Sequence, residues 1–191
     1  MASALDIISL AEYKDRVKLE GVYASDDTLL ENLITAVSET MEDYCGRYFV
    51  ERATIETISG NDLLDRKVLR LKYTPVSSIE SLVVDDVELV EDTDFTLSPN
   101  YGKLFLDGDA LWALGRKNIV VNYTAGYAQS EFPERLKIVC AALVKLYYDH
   151  TNFNNAGVSS QTIAGQSISY RDIEIPSRYR MMLDSFVTGI N

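Results

Sequence analysis

Apolar positions along the chain follow a helical period at both ends and a period of two in the middle, so helices should flank a block of strands. Ser9-Leu10-Ala11-Glu12 has capping-box spacing and predicts a short helix running to about Lys18. Glu20-Gly21-Val22-Tyr23-Ala24 breaks it. A longer helix opens at Ser25-Asp26-Asp27, where acids meet the positive end of the helix dipole. Leu30, Leu33, Ile34, Val37, Met41 and Tyr44 form its apolar stripe, with Gly46 placed to cap its C-terminus. Glu31, Thr35, Glu39 and Glu42 fall on the opposite face.

From Phe49 to Tyr123 side chains alternate. The predicted strands are 53–58, 68–73, 81–84, 87–90, 95–97, 103–106 and 119–123, with Asp85-Asp86 as a turn and Thr74-Pro75 as a stop. Pro133-Glu134 opens a third helix, buried through Leu136, Val139, Cys140, Leu143, Val144 and Tyr147, with Ala141, Ala142 and Leu146 widening the face. Thr151 to Gln166 is rich in Asn, Ser, Gly and Gln and reads as a mobile loop. Ser167 to Tyr170 suggests a brief strand. After Pro176, a last helix carries Tyr179, Met182, Leu183, Phe186, Val187 and Ile190 on one stripe.

This order predicts an α+β fold: a helical body of about four helices with an inserted small antiparallel β lobe. The expected divisions are N-terminal helices over 1–48, the lobe over 49–130, a central helix over 131–150, and a loop with the C-terminal helix over 151–191. A hydrophobic fraction of 47% over 191 residues supplies a core without metals or disulfides. The longest apolar runs are too short to span a bilayer, and no basic start with an apolar stretch opens the chain, so synthesis in the cytoplasm and no membrane partner are expected. Cys45 and Cys140 sit among apolar residues and read as reduced core thiols. The net charge of −11 argues against sequence-reading nucleic-acid binding, whose affinity comes from cations meeting phosphates.

A search for chemistry finds little. Phosphate-binding glycine loops, a GxSxG elbow and CxxC or HxxxH spacing are absent. The one histidine, His150, follows the predicted helix end and fits a capping or surface role. Asp85, Asp86, Glu88, Glu91, Asp92 and Asp94 lack the glycine and terminal glutamate of a calcium loop, and read as a solvated hairpin rim. Arg66, Lys67, Arg70 and Lys72 lack the aromatic platform of a single-strand binder. Trp112 looks like packing. No catalytic residue, cofactor or metal ligand is assigned. A carbohydrate-active enzyme or binding module would need a carboxylate pair in a cleft or an aromatic platform, and nothing singles out one pair.

Several stretches stand out in their order: Ile8-Ser9-Leu10-Ala11-Glu12-Tyr13-Lys14, Asp26 to Ile34, and Met41-Glu42-Asp43-Tyr44-Cys45-Gly46-Arg47-Tyr48-Phe49. Tyr73-Thr74-Pro75-Val76-Ser77-Ser78-Ile79, Val121-Asn122-Tyr123-Thr124-Ala125-Gly126-Tyr127, and Phe132 to Lys137 followed by Leu146-Tyr147-Tyr148 continue the series. Together they resemble the head-to-tail connector (adaptor, head-completion) proteins of long-tailed bacteriophages. The resemblance implies a structural virion protein, not an enzyme. It would form a ring, usually dodecameric, below the portal and above a stopper or tail-completion protein, around double-stranded DNA that passes without specific contacts. Such a chain assembles in the host cytoplasm and resides in the virion neck. Another neck or tail-completion protein is the alternative within the same structure.

Two surfaces follow as expectations. Glu31, Glu39 and Glu42 are candidate channel-lining residues, whose carboxylates would repel phosphates; an outward solvated face is the competing reading. Arg178, Tyr179, Met182, Leu183 and Phe186 are candidate portal-docking residues. The polar stretch from Asn152 to Gln166 would let that helix swing to a partner, and packing within the monomer is the alternative.

Overall fold

The computed structural model describes residues 5–17, 26–156 and 175–187. The helices are α1 (Leu10–Val17), α2 (Asp27–Cys45), α3 (Glu134–Ala156) and α4 (Ser177–Leu183), and seven strands lie between α2 and α3. These are β1 (Arg52–Ile58), β2 (Leu69–Arg70), β3 (Val76–Val84), β4 (Val87–Leu89), β5 (Phe95–Ser98), β6 (Lys103–Leu106) and β7 (Ile119–Ala125). The fold is α+β with helices and strands segregated, as the patterning required. It divides into two compact units, Met1–Cys45 with Pro133–Val187, and Gly46–Phe132.

In the helical unit α2 buries Leu30, Leu33, Ile34, Val37, Met41 and Cys45, and α3 buries Leu136, Val139, Cys140, Leu143 and Val144. Each set recurs at three and four residues, so each helix presents one continuous apolar stripe. α1 starts with half of a capping box: Ser9 Oγ accepts the Glu12 N–H at 3.1 Å. Glu12 does not return the bond. Its carboxylate instead takes Arg16 at 2.7 Å and Lys137 at 3.2 Å. Arg16 also pairs with Glu134, and Lys14 with Asp27 at 2.6 Å, so α1 is pinned to both longer helices. Burial pushes the Glu12 carboxyl up, but the hydrogen bonds from Arg16 and Lys137 outweigh it and hold it below the usual carboxylate range.

The β unit is a two-layer lobe, with a four-stranded sheet in the order β1-β7-β3-β4 and a three-stranded sheet in the order β2-β6-β5, all pairs antiparallel. Leu69, Phe95 and Leu104 from one sheet meet Leu82, Val121 and Tyr123 from the other, with Trp112 wholly buried among them. Asp85 and Asp86 have φ of 49° and 64°, the mirror-image turn whose twist suits a tight hairpin.

Four expectations change. The alternating run 68–73 pairs only over Leu69–Arg70. Beyond it, the Leu71 N–H still reaches a backbone carbonyl, Gly102 O at 2.8 Å, but the Lys72 N–H goes to the Glu56 carboxylate at 3.0 Å and the Tyr73 N–H to the Tyr123 hydroxyl at 3.3 Å, so side chains take the last two donors that a strand would have used. β3 begins at Val76, so Thr74-Pro75 precedes a strand instead of ending one. Its register shifts between Val76 and Ser78 and between Ile79 and Ser81 scramble the alternation that would have shown it. α3 continues to Ala156, past the expected loop start at Thr151, and the next residue in sequence is Gly157. His150 therefore lies within that helix and is exposed. On α3 it is Tyr148, not Tyr147, that is buried, its hydroxyl donating to Asp26 Oδ2 at 2.7 Å. Lys18, the break at 20–24, the remainder of the polar loop, the strand at 167–170 and Ile190 lie outside the described residues.

Candidate assembly surfaces

Where the chain turns from α2 into β1, and where β7 ends, several short motifs meet. Gly46 follows α2 at φ 64°, the left-handed conformation that ends helices and favours glycine. The backbone of Phe49 accepts the Tyr127 N–H at 2.7 Å, and Pro75 O accepts the Gly126 N–H at 2.8 Å. Gly126 has φ 118°, and a Cβ there would lie 2.6 Å from the backbone of Val50 and Glu51. Tyr48 stacks on Tyr73 with ring centroids 3.6 Å apart. The Cys-Gly-Arg-Tyr-Phe, Tyr-Thr-Pro and Tyr-Thr-Ala-Gly-Tyr stretches are thus parts of one knot closing one end of the lobe.

α4 is held on the helical unit. Leu183 is 0% exposed, Tyr44 donates its hydroxyl to Asp184 Oδ1 at 2.7 Å, and Cys45 Sγ lies 3.8 Å from Leu183 O. Arg135 reaches Ser185 Oγ at 3.3 Å, and Arg180 Nε donates to Ile175 O at 2.7 Å. Among the docking candidates, Leu183 therefore serves the subunit's own core and is not on the surface. Tyr179, Met182 and Phe186 are half-buried and Arg178 is exposed, its guanidinium 4.6 Å from the Tyr179 ring centroid. Met181, which the apolar stripe left out, is 76% exposed.

The exposed ridge of α2 is Thr28, Asn32, Glu39 and Asp43, while Glu31 and Glu42 flank it half-buried. Glu39 and Asp43 are one turn apart, so the sequence held the signal for Asp43. No basic residue occurs anywhere in α2. The two cysteines are buried thiols, not joined in a disulfide, and burial pushes the Cys140 thiol up to about 12, the setting of an inert core thiol. Among the described residues no group of three or more His, Cys, Asp or Glu could hold a metal ion. No helix among them is long and apolar enough to cross a membrane.

A model of the head completion protein family matches residues 6–187. The chain belongs to that family, the head-to-tail connectors that the sequence motifs resemble. A search of curated proteins returns no match. Among solved structures, a chain from the neck of an empty gene transfer agent particle with C6 symmetry aligns at a TM-score of 0.66 and 18% identity, covering 100% of this chain and 95% of that one. A chain of the native gene transfer agent virion gives 0.66 and 16%, covering 100% and 94%. One from the neck of the native particle with C12 symmetry gives 0.64 and 14%, also covering 100% and 94%. These likenesses establish a shared fold over the whole chain.

Proposed function

We propose that this chain is a structural ring subunit of a virion neck, seated between the portal and a stopper or tail-completion protein, and that it performs no covalent chemistry. The observation that carries the reading is membership of the head completion family over residues 6–187, joined to full-length likeness to neck subunits. The C12 symmetry of one such neck supports a closed ring of copies, which heterologous contacts between unlike faces would close. Assembly takes place in the host cytoplasm and the ring ends in the neck of the particle.

In this arrangement double-stranded DNA passes through the ring without specific contacts. Glu31, Glu39 and Glu42 line the passage, together with Asp43 on the same exposed ridge. Carboxylates act on phosphates over about 8 Å at physiological salt, so such a wall keeps DNA from sticking. Arg178, Tyr179, Met182 and Phe186, with exposed Met181, dock on the portal, while Leu183 fastens α4 to its own body.

The experiment is complementation of particles that lack this polypeptide. Supplying the chain should restore tail joining to portal-bearing heads, and tails that join equally well without it would refute the reading. A chain ending at Ile173 should fail to bind portal-bearing heads; normal binding would remove α4 from the portal contact. Replacing Glu31, Glu39 and Glu42 with lysine should slow DNA exit while leaving ring attachment intact. Unchanged ejection would take these residues off the channel wall.

A further inference from the structure

The β lobe has two unlike sides, and both end in an unpaired strand. β1 and β4 are the outer strands of the four-stranded sheet, and β2 and β5 those of the three-stranded sheet. β1 meets the segment that follows β2, because the Lys72 N–H bonds the Glu56 carboxylate at 3.0 Å. The residues after β4 turn directly into β5, with a bridge between Glu91 and Phe95. The lobe is therefore bounded on one side by β1 and β2, and on the other by β4 and β5.

Backbone parity shows what each side offers. In a two-residue hairpin the flanking residues, here Val84 and Val87, share both hydrogen bonds, so the N–H and C=O of Glu88 point away from β3. On β7, bonds from Asp85 to Asn118 and from Gly126 to Pro75 show that even-numbered residues face β3, so odd-numbered ones face β1. The register then turns the backbones of Ala53, Ile55 and Thr57 outward. Among the described residues none of these outward groups has a backbone partner. The side chains are equally bare: Ile55 is 69% exposed on β1, Val87 is 60% exposed on β4, and Val90 just after it is 58% exposed.

The two sides carry opposite charge. Residues 85–94 hold six acids and no base, along the β4 side. Residues 66–72 hold four bases and no acid, along the β2 side. Arg66 turns inward to Trp112 O at 2.9 Å, which leaves Lys67, Arg70 and Lys72 exposed. The acidic rim is itself fixed: the Val90 N–H bonds Asp94 Oδ2 at 2.8 Å, and the Asp94 N–H returns to Val90 O at 2.8 Å.

We propose that the acidic β4 side of one copy docks on the basic β1–β2 side of a second copy of this chain, so that the lobes form a continuous belt around the ring. Val87 and Val90 then cover Ile55, and Glu88 and Glu91 face Arg70 and Lys72. The charge pattern selects the occupant, because each side complements the other side of the same lobe and repels its own kind. Unlike faces joined head to tail are the contacts that close a ring. The proposal rests on the ring reading above and adds the contact that builds the ring.

The test follows cyclic oligomers by native mass measurement, for the purified chain at high concentration and for the chain bound to portal-bearing heads. The double variant Arg70→Glu with Lys72→Glu should weaken oligomerisation at least tenfold. Adding Glu88→Lys and Glu91→Arg to the same chain should restore it. Independently, a chain carrying both Ile55→Cys and Val87→Cys should yield a ladder of multimers with a short bis-maleimide, and each single variant should not; the buried native cysteines stay out of the reaction. If the charge-reversed chain forms rings as well as the wild type and no ladder appears, the belt contact is overturned while the ring stands. If the wild type forms no cyclic oligomer in either setting, both fall. If reversal blocks attachment to heads but the fourfold swap does not restore it, the edges meet a different neck protein and the second-copy assignment is wrong.

Discussion

Replacing Gly60 with alanine tests the packing of the lobe with a clear sign. Gly60 opens the short turn Gly60–Asp62 after β1, where its N–H bonds Asn118 Oδ1 at 3.0 Å. The neighbouring Asn61 N–H bonds Gly115 O at 3.1 Å, and the Trp112 N–H bonds Arg66 O at 2.9 Å, so two loops are zipped together along their backbones. The φ of Gly60 lies outside the left-handed range, so alanine suits its backbone, and the chain-entropy effect alone would stabilise the lobe by about 0.4–1 kcal/mol. Packing opposes this. A Cβ at Gly60 would lie 1.8 Å from the Ala113 carbonyl oxygen, and that obstacle is backbone, which cannot rotate away. The loops must part by about an ångström or more, at an overpacking cost of about 1–3 kcal/mol. Losing one or two of the zipping bonds adds about 0.5–1.5 kcal/mol each. The net expectation is a loss of about 2–4 kcal/mol, or a fall of about 1 M or more in the urea midpoint. Trp112 is the only tryptophan and is buried in the lobe core, so its fluorescence reports this unit. A midpoint that stays put or rises would refute the close approach of the two loops.

Three further outcomes are expected. Leu183→Ala should remove the apolar anchor of α4, costing about 2–5 kcal/mol, and trypsin should then cut after Arg178 and Arg180 much faster than in the wild type; equal rates would show that α4 is held by other means. Glu12 and Glu134 are both held below the usual carboxylate range, Glu134 by its hydrogen bond from Arg16, so the folded state binds fewer protons than the unfolded chain. Their contribution is complete above about pH 5 and is lost as pH falls through the ordinary glutamate range and below it; Arg16→Ala should flatten this loss in circular-dichroism melts, and an unaltered pH profile would discount the cluster. Asp86→Gly should stabilise the hairpin by about 0.5–1 kcal/mol, since Asp86 sits at φ 64°, and an unchanged or lower Trp112 midpoint would count against the turn geometry.

Much of the fold was legible because its elements obey simple periods. Five of the six α2 stripe residues are buried, while Tyr44 is half-buried with its hydroxyl on Asp184 and Cys45 takes the buried place; β5, β6 and β7 fall where the alternation put them, and Asp85-Asp86 announces its turn by composition alone. The run after β2 was illegible because distant groups satisfy its backbone donors. Glu56 and Tyr123 intercept Lys72 and Tyr73 from elsewhere in the chain, and no local pattern encodes that. β3 was half hidden because its register shifts break the alternation. The surfaces were legible only as faces. Spacing put Glu31, Glu39 and Glu42 together and offered Asp43 one turn from Glu39, but it could not say that Glu31 and Glu42 would be half-covered. Nor could it say that Leu183, alone among the described residues of its stripe, would be fully buried.

The lobe's bare edges make sense only when its charges are counted with them. Natural sheets guard an outer strand with proline, lysine, a bulge or a covering loop, because an open edge invites pairing with any other strand. β1 has none of the first two: its sequence is Arg52-Ala-Thr-Ile-Glu-Thr-Ile58, and its Glu56 is turned to the hydroxyl of Tyr123 at 2.9 Å. Two copies could in principle meet β1 to β1, yet that would bring Lys67, Arg70 and Lys72 against themselves. Meeting β4 to β4 would set the six acids of 85–94 against their own copies. Both symmetric pairings are thereby penalised, and the unlike pairing is the one left. An unlike pairing propagates until geometry stops it, as a fibre if the rotation does not close and as a ring if it does. Guarding by charge instead of by proline thus leaves the edge usable, and restricts its use to the unlike pairing on which the proposed ring contact rests.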